Sequence, residues 1–281
     1  MTLKGNNNEE LKMPVLFIGH GSPMNIISDN SFTHDLKKLG KILPKPKAIL
    51  VISAHWLTSG TKVLCSKIPR LIYDFYGFPK ELYEIDYPSP GAPELAKLIV
   101  NELESYNIIC DHEWGYDHAS WAILKHIYPN ADIPVLEFSL DYGLNRWDVN
   151  PMEYHYQLAK NLTFLREQGV LIIGSGNIVH NLGIIDYNVN APIMNWAKQL
   201  DEAVKKNLLN YNHQNLIHIK EMGHVANMGI PTWDHYLPLI YTIALQEKDE
   251  PVIFIHEGFQ HGSVSMRCIQ FGNIKKNLTS T

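Results

Sequence analysis

Three short apolar runs in this sequence end in small residues, and each then reaches a histidine. These histidines are His20, His55 and His180. Runs of this length and composition are typical of strands that are buried on both faces of a parallel sheet. In open α/β sheets, ligands bind just beyond the carboxyl ends of such strands. The sequence therefore predicts imidazoles gathered at one sheet edge, where they could bind a metal ion.

The first two predicted metal ligands are His20 and His55, which follow two successive strands that are expected to lie close together. His20 stands between two glycines, which leave room for a ligand near the backbone. The third predicted ligand is His235, expected in the first turn of a helix with Thr232 as its N-cap. Asp234 beside it is the competing ligand. Three protein ligands would leave positions open for water or substrate, as in catalytic metal sites.

Two further histidines are candidates for roles beside the metal. His180 follows the glycine-rich turn at 174–177, and its imidazole is interpreted either as a fourth ligand or as a proton-transfer group. His118 stands at a predicted helix start, and its local pattern favours a capping or core histidine. Most other histidines, among them His155 and His213, lie in amphipathic or polar segments and are expected on the surface.

Composition and charge exclude several classes of protein. The formal net charge is −5 at pH 7 and no block of Lys or Arg occurs, so we expect no nucleic-acid partner. The longest apolar runs have the length of strands, so we expect no membrane partner. No glycine-rich dinucleotide or phosphate signature occurs, and no organic cofactor is expected. Cys65, Cys110 and Cys268 form no C-x-x-C pair, which disfavours a zinc knuckle or a disulfide and favours a cytoplasmic location.

Predicted strands and helices alternate along the chain. This alternation is typical of a single α/β domain with a mainly parallel central sheet and helices on both faces, and the metal site would lie at the carboxyl ends of the strands. Strands are predicted at 14–19, 47–54, 107–110, 133–139, 170–174 and 252–256, and helices at 31–42, 118–127, 152–168, 192–209 and 232–246. A further helix is expected to follow Pro93.

Three segments lie outside this alternation. Residues 1–12 are predicted to form a disordered polar tail. Residues 66–91 are rich in Tyr, Pro and Gly, and they are interpreted either as a surface connection or as a loop that covers the active site. Residues 262–271 are strand-like and are expected to add an antiparallel edge to the sheet.

Several longer motifs occur in order along nearly the whole chain beyond the tail. They are GHGSP (19–23), ISAHW (52–56), YPSPGAPELA (87–96), YDHASW (116–121), ADIPV (131–135), GSGNIVHNL (174–182), DHYLPLIY (234–241) and GSVSMR (262–267). Together they resemble the class III extradiol ring-cleaving dioxygenases, and within them the 4,5-DOPA extradiol dioxygenase branch. The resemblance implies that residues 13–281 form a catalytic domain that opens the ring of an L-DOPA-like catechol with O2 to give a semialdehyde.

The resemblance also implies roles for the five histidines. His20, His55 and His235 match the metal ligands of that branch. His180 matches a histidine that acts as acid and base and that can approach the metal in zinc-bound members. His118 matches a histidine that contacts the substrate, which replaces the capping role favoured by its local pattern.

The resemblance leaves the metal and the partners less defined. One Fe(II) or Zn²⁺ per chain is the expected cofactor, because an all-imidazole ligand set suits both ions, and O2 is the expected co-substrate. The expected partner is a small catechol, and the chain is expected to be a monomer or a small homo-oligomer. Gln260 and His261 depart from the family, which has an acidic residue and a tyrosine there. Two alternatives remain, a zinc hydrolase and a non-catalytic metal-binding or interaction protein on the same fold.

Overall fold

The structure, a computed structural model, describes residues 12–143 and 150–274. The predicted tail lies outside the described residues except for Lys12, which forms an ion pair with Glu247. The strands are β1 (Val15–Gly19), β2 (Ala48–Thr58), β3 (Lys62–Leu64), β4 (Ile109–Asp111), β5 (Val135–Asp141), β6 (Val170–Gly176), β7 (Val252–His256), β8 (Phe259–Gln260), β9 (Val264–Ser265) and β10 (Cys268–Phe271). Strands β8 and β9 pair only with each other, and the other strands form one sheet in the order β4-β3-β5-β2-β6-β1-β10-β7.

Helices cover both faces of this sheet. They are α1 (Ser31–Ile42), α2 (Pro93–Glu102), α3 (His118–Ile127), α4 (Pro151–Lys160), α5 (Phe164–Glu167), α6 (Asn195–Leu209), α7 (His213–Ile217), α8 (His224–Gly229) and α9 (Leu237–Ala244). The predicted helices 31–42 and 118–127 are observed with these bounds. The predicted helix 152–168 is divided into α4 and α5. The predicted helix 232–246 begins only at Leu237, so Thr232 is not its N-cap.

Successive residues of the central strands face opposite sides of the sheet. In β1, Val15 and Phe17 belong to one hydrophobic cluster, and Leu16 and Ile18 belong to the other. Helices α2, α4, α6 and α9 cover the first face, whereas α1 and α3 cover the second. Because both faces are buried, the strands are apolar throughout, which explains the continuous apolar runs in the sequence. The predicted fold class, a single α/β domain with a mainly parallel sheet, is confirmed.

Strand β1, which His20 follows, and strand β2, which contains His55, are not neighbours in the sheet, although the two rings lie close together. Strand β6 lies between β1 and β2 and runs parallel to both. Its residue Ser175 is in register with Ser53 of β2, and Gly176 is in register with Gly19 of β1. The carboxyl ends of three strands therefore meet at one edge of the sheet.

The carboxyl-terminal strand is antiparallel, as predicted, but it does not form the edge of the sheet. Strand β10 lies between β1 and β7 and pairs with both in antiparallel orientation. Strand β7 takes the edge position instead. No helix in the ranges 12–143 and 150–274 is both long enough and apolar enough to cross a membrane.

Two expectations, one about cysteines and one about histidines, are wrong. Cys65 and Cys110 form a disulfide, with their Cα atoms 5.6 Å apart, because β3 and β4 pair side by side although the cysteines are 45 residues apart in sequence. His155 and His213, expected on the surface, are buried. The ring of His155 bonds the Tyr241 hydroxyl at 2.9 Å, so its burial leaves no unsatisfied polar group there.

Candidate metal centre

Three of the predicted site residues, His20, His55 and His235, lie together at the carboxyl edge of the sheet. Their ring centroids form a nearly equilateral triangle, with separations of 5.0 Å, 5.2 Å and 5.3 Å. One nitrogen atom from each ring lies within 4.8 Å of the corresponding atoms of the other two rings. Three imidazole nitrogens at this spacing could converge on one metal ion.

The Nδ1 atom of each of these rings already has a hydrogen-bond partner. Nδ1 of His55 lies 2.5 Å from Asp74 Oδ2, and Nδ1 of His235 lies 2.6 Å from Asp234 Oδ2. Ionised carboxylates only accept hydrogen bonds, so both rings carry their hydrogen on Nδ1. The nitrogen left free in both rings is Nε2, the atom that would bind a metal ion.

The ring of His20 also carries its hydrogen on Nδ1, because a serine hydroxyl accepts from that atom. Nδ1 of His20 lies 3.0 Å from Ser175 Oγ, and that hydroxyl donates its hydrogen to the carbonyl of Ala119 at 2.6 Å. Since the serine hydrogen is already used, Ser175 must accept from His20 Nδ1. A second partner of this kind, which fixes the ring and its tautomer, is typical of metal-binding histidines.

The local backbone explains how each ligand reaches the edge. The amide of His20 donates to the carbonyl of Gly176 at 3.1 Å, which fixes it beside the end of β6. The pairing of β2 with β5 is irregular between Ile52 and Leu57, so the segment with His55 departs from the regular ladder. The carbonyl of His235 accepts from the amide of Asn177 at 2.9 Å, in a turn that precedes α9 rather than in its first turn.

The electrostatics of the centre differ from ring to ring, because burial lowers the pKa of an imidazole and a neighbouring carboxylate raises it. Burial, reinforced by the neighbouring imidazoles, holds the pKa of His20 well below its usual value. Burial acts in the same direction on His55, but its hydrogen bond to Asp74 and nearby carboxylates outweigh it and raise the pKa of His55. Burial would raise the pKa of Asp74 and of Asp234, yet hydrogen bonds from the histidines hold both pKa values far below normal.

These residues fit a divalent metal ion. The chain offers three imidazole nitrogens together with two carboxylates that balance the charge of a cation without occupying the same positions. Asp234, the competing ligand, uses Oδ2 to hold His235. The donor set does not distinguish Fe(II) from Zn²⁺, because imidazole suits both ions.

His118 and His180 lie beside the triangle. The ring of His118 is 4.4 Å from that of His55, centroid to centroid, and its Nδ1 donates to Asp74 Oδ1 at 2.9 Å. The ring of His180 stacks on that of His235, with 3.5 Å between centroids and 7° between planes. Within the described part of the chain, His180 belongs to no group of three converging metal-ligating atoms. Burial and the nearby His235 hold the pKa of His180 far below normal, so its imidazole is neutral.

Asp74 is a residue of the site that the sequence pattern did not predict. It lies in residues 66–91, which we call the covering segment, and it bonds both His55 and His118. Phe75 packs its ring 5.4 Å from that of His118, so this part of the segment lies against the candidate site, which agrees with the second interpretation. Tyr76, in contrast, is 89% exposed and does not cover the centre. The sequence feature that could have indicated Asp74 is its position as a single acidic residue between the aromatic residues Tyr73 and Phe75.

Two buried carboxyl groups support the helix that presents His118. The amide of Asp117 donates to Glu137 Oε1 at 3.0 Å, and Asp117 Oδ1 caps α3 by accepting from the amide of Ser120 at 3.2 Å. Burial raises the pKa of Glu137 well above normal, and the neighbouring Asp117 raises it further. These groups fix the start of α3 and therefore the position of His118.

Gln260, where the resemblance led us to expect an acidic residue, has a structural role. The amide groups of Gln260 and Asn25 form two reciprocal hydrogen bonds, of 3.0 Å and 2.9 Å. Asn25 also donates to the carbonyl of His20 at 3.3 Å. Gln260 therefore supports the backbone of a candidate ligand. The ring of His261 points to a different part of the chain, where its Nδ1 donates to the carbonyl of Asp186 at 2.9 Å.

The fold and the site together define a class of protein, an α/β domain whose sheet carries a histidine metal centre at its carboxyl edge. The chain belongs to the family described as the catalytic LigB subunit of aromatic ring-opening dioxygenase, which residues 15–271 match. This membership confirms the resemblance to class III extradiol dioxygenases.

Relatives of known name agree with this membership. The chain is 40% identical over 266 residues to a 4,5-DOPA dioxygenase extradiol of Escherichia coli (strain K12), covering 93% of this chain and 95% of the relative. It is 32% identical to a protein of the same name from Beta vulgaris, covering 91% of this chain and 95% of that relative. A crystal structure of an uncharacterized Escherichia coli K12 protein is similar, with a TM-score of 0.79 and 37% identity, covering 92% of this chain and 100% of that one.

Proposed function

We propose that this chain is a metal-dependent extradiol dioxygenase that opens the ring of a small, L-DOPA-like catechol with O2 to give a semialdehyde. The observation that carries the proposal is the triangle of His20, His55 and His235, in which the Nδ1 atom of every ring is engaged, so that Nε2 is the atom that would bind a metal ion. The names of the relatives support the catechol as substrate.

The residues have separate tasks in this proposal. His20, His55 and His235 would hold one Fe(II), although the same residues suit Zn²⁺. When bound, the metal supplies a Lewis acid that lowers the pKa of hydroxyl groups that coordinate it. The carboxylates of Asp74 and Asp234 keep the ligand rings oriented.

His180 is the proposed acid and base. A neutral imidazole beside the metal can accept a proton from a catechol hydroxyl and return it later. His118 assists by hydrogen bonding, since Asp74 binds its Nδ1 and leaves Nε2 for the substrate. Phe75 of the covering segment, which is itself buried, limits the access of water on this side.

The test is anaerobic reconstitution with Fe(II) or with Zn²⁺, followed by addition of L-DOPA and then air. We expect the Fe(II) protein to consume oxygen and to form a yellow product at a matching rate. Tyrosine is the control, because it lacks the second hydroxyl group and should give neither signal. If a panel of catechols gives no oxygen uptake at verified Fe(II) occupancy, the proposal is wrong, and ester or amide hydrolysis by the zinc form would favour the hydrolase instead.

A further inference from the structure

One carboxylate on the covering segment contacts two histidines of the candidate site. Asp74 Oδ2 lies 2.5 Å from His55 Nδ1. Asp74 Oδ1 accepts from both the ring Nδ1 and the backbone amide of His118, each at 2.9 Å. The two oxygens are therefore divided between a candidate metal ligand and a histidine on the substrate side.

This arrangement fixes the tautomers of both rings. The carboxylate of Asp74 is ionised and only accepts hydrogen bonds, so each ring must carry its hydrogen on Nδ1. The backbone amide of His118 belongs to the first turn of α3, whose free amide groups favour a negative charge nearby. Asp74 is thus anchored to the helix as well as to the two rings.

We propose that Asp74 is the positioning residue of this site, holding His55 for the metal and His118 for the substrate through a single carboxylate. The role of His118 in this inference rests on the proposed function. The expected effect of Asp74 on metal binding does not depend on that function. Asp74 lies on the covering segment, so its bonds to the two rings also hold that segment against the metal centre.

A different arrangement uses the same atoms. His55, Asp74 and His118 themselves form a group whose ligand atoms lie within 4.8 Å of one another, so Asp74 could be a ligand. The pattern of the other ligands argues against this. In His20 and His235, Nδ1 binds a neighbouring side chain and Nε2 is left free, and His55 follows the same pattern when Asp74 acts as its partner.

The test compares Asp74→Asn with Asp86→Asn, which removes one exposed carboxylate from the same segment. An asparagine oxygen can accept from one ring, but its amide group faces the other ring with hydrogen atoms. We expect Zn²⁺ affinity, measured by competition with a chelator on folded protein, to fall about 10–100-fold in Asp74→Asn. Asp86→Asn should keep the wild-type affinity.

A second measurement reports on the tautomers directly. Nitrogen NMR of the histidine rings in the zinc-loaded protein should show His118 protonated at Nδ1 in the wild type and in Asp86→Asn. In Asp74→Asn, one of the two rings, His55 or His118, should lose the preference for a hydrogen on Nδ1, a change that a purely structural role of Asp74 would not cause.

Two outcomes would overturn the assignment. Unchanged Zn²⁺ affinity and unchanged tautomers of His55 and His118 in Asp74→Asn would show that the carboxylate positions neither ring. Metal loss as complete as in His55→Ala would make Asp74 a ligand. Neither measurement depends on ring cleavage, so a failure of the proposed dioxygenase activity would be seen separately, as full metal occupancy without oxygen uptake.

Discussion

At the scale of single residues, the candidate centre depends on side chains that orient the histidine rings by hydrogen bonds. Each of the three rings in the triangle presents Nε2 because its Nδ1 is bound, by Ser175, Asp74 or Asp234. Burial restricts the movement of the rings and lowers the pKa of His20 and of His235, whereas the hydrogen bond to Asp74 and nearby carboxylates raise the pKa of His55. The consequence is a set of three donors that are oriented before any metal arrives, which reduces the entropy lost on binding.

Replacement of any one of the triangle histidines should remove most of the bound metal. Each ring lies at the sheet edge, whereas the hydrophobic core lies behind it, so His20→Ala, His55→Ala or His235→Ala should change the free energy of unfolding by only about 1 kcal/mol. Elemental analysis and urea unfolding of the metal-free protein measure the two effects. The exposed His224→Ala is the control, and full metal content in His235→Ala would reopen the case for Asp234.

His180→Ala should separate chemistry from binding. His180 stacks on His235 without joining the converging nitrogens, so the variant should retain metal. Its rate of ring cleavage should fall roughly 10²–10⁴-fold, the usual contribution of general acid–base catalysis. Turnover per bound metal is the measurement. If His180→Ala loses metal as completely as His55→Ala, His180 is a fourth ligand instead.

At the scale of elements, strand β6 organises the site. It lies between β1 and β2, and its last residues contact the backbone on which two candidate ligands stand. The amide of His20 bonds the carbonyl of Gly176. A side chain at Gly176 would meet the carbonyl oxygen of His235, because a Cβ built there lies 2.2 Å from that atom. Only glycine allows the turn before α9 to approach this closely.

Gly176→Ala should therefore disturb both stability and metal binding. The backbone at His235 must move to admit a methyl group, which should lower the free energy of unfolding by about 1–3 kcal/mol and weaken Zn²⁺ binding. Urea unfolding and chelator competition measure the two effects. Gly183→Ala is a matched control, since its nearest neighbour would be Asn181 Oδ1 at 3.3 Å. Equal behaviour of the two variants would mean that the β6 contact does not position His235.

At the scale of the whole molecule, distant parts of the chain stabilise the sheet and the covering segment. The disulfide between Cys65 and Cys110 joins β4 to the residue that directly precedes the covering segment. Arg166 is buried and donates to the carbonyls of Met13 and Leu245, and to Glu250 Oε2 at 2.9 Å. Both kinds of contact join segments that are far apart in sequence. The disulfide restricts the unfolded chain, whereas the hydrogen bonds of Arg166 form only when the chain is folded.

Reduction of the disulfide should destabilise the protein. Closure of a loop with a sequence separation of 45 residues corresponds to a loss of roughly 3–4 kcal/mol in unfolding free energy at 25 °C. Urea unfolding with and without reductant measures the loss, and Cys110→Ser should show no further effect of reductant. Cys268 is the free thiol, so the denatured, unreduced protein should react with one equivalent of a thiol reagent, and three equivalents would contradict the disulfide.

The sequence by itself predicted the fold class and named the histidines of the candidate site. Buried parallel strands have a local signature, since their apolar runs and the glycines that follow them do not depend on neighbours. For the same reason, the helix at 31–42 could be predicted from its own pattern, with Asn30 as an N-cap in the structure. Histidines placed directly after such strands must lie at the carboxyl edge of the sheet, whatever the order of the strands.

The tertiary structure alone decided which side chains meet there. Strand order, with β6 between β1 and β2, depends on crossovers that periodicity does not encode. The bonds of Asp74 to His55 and His118 span 19 and 44 residues, and the disulfide spans 45. Periodicity reports which face of an element is buried, but not which residue lies opposite, because long-range contacts are set by the packing of the complete chain. The carboxylate that orients two histidines was therefore not predicted, although the histidines were.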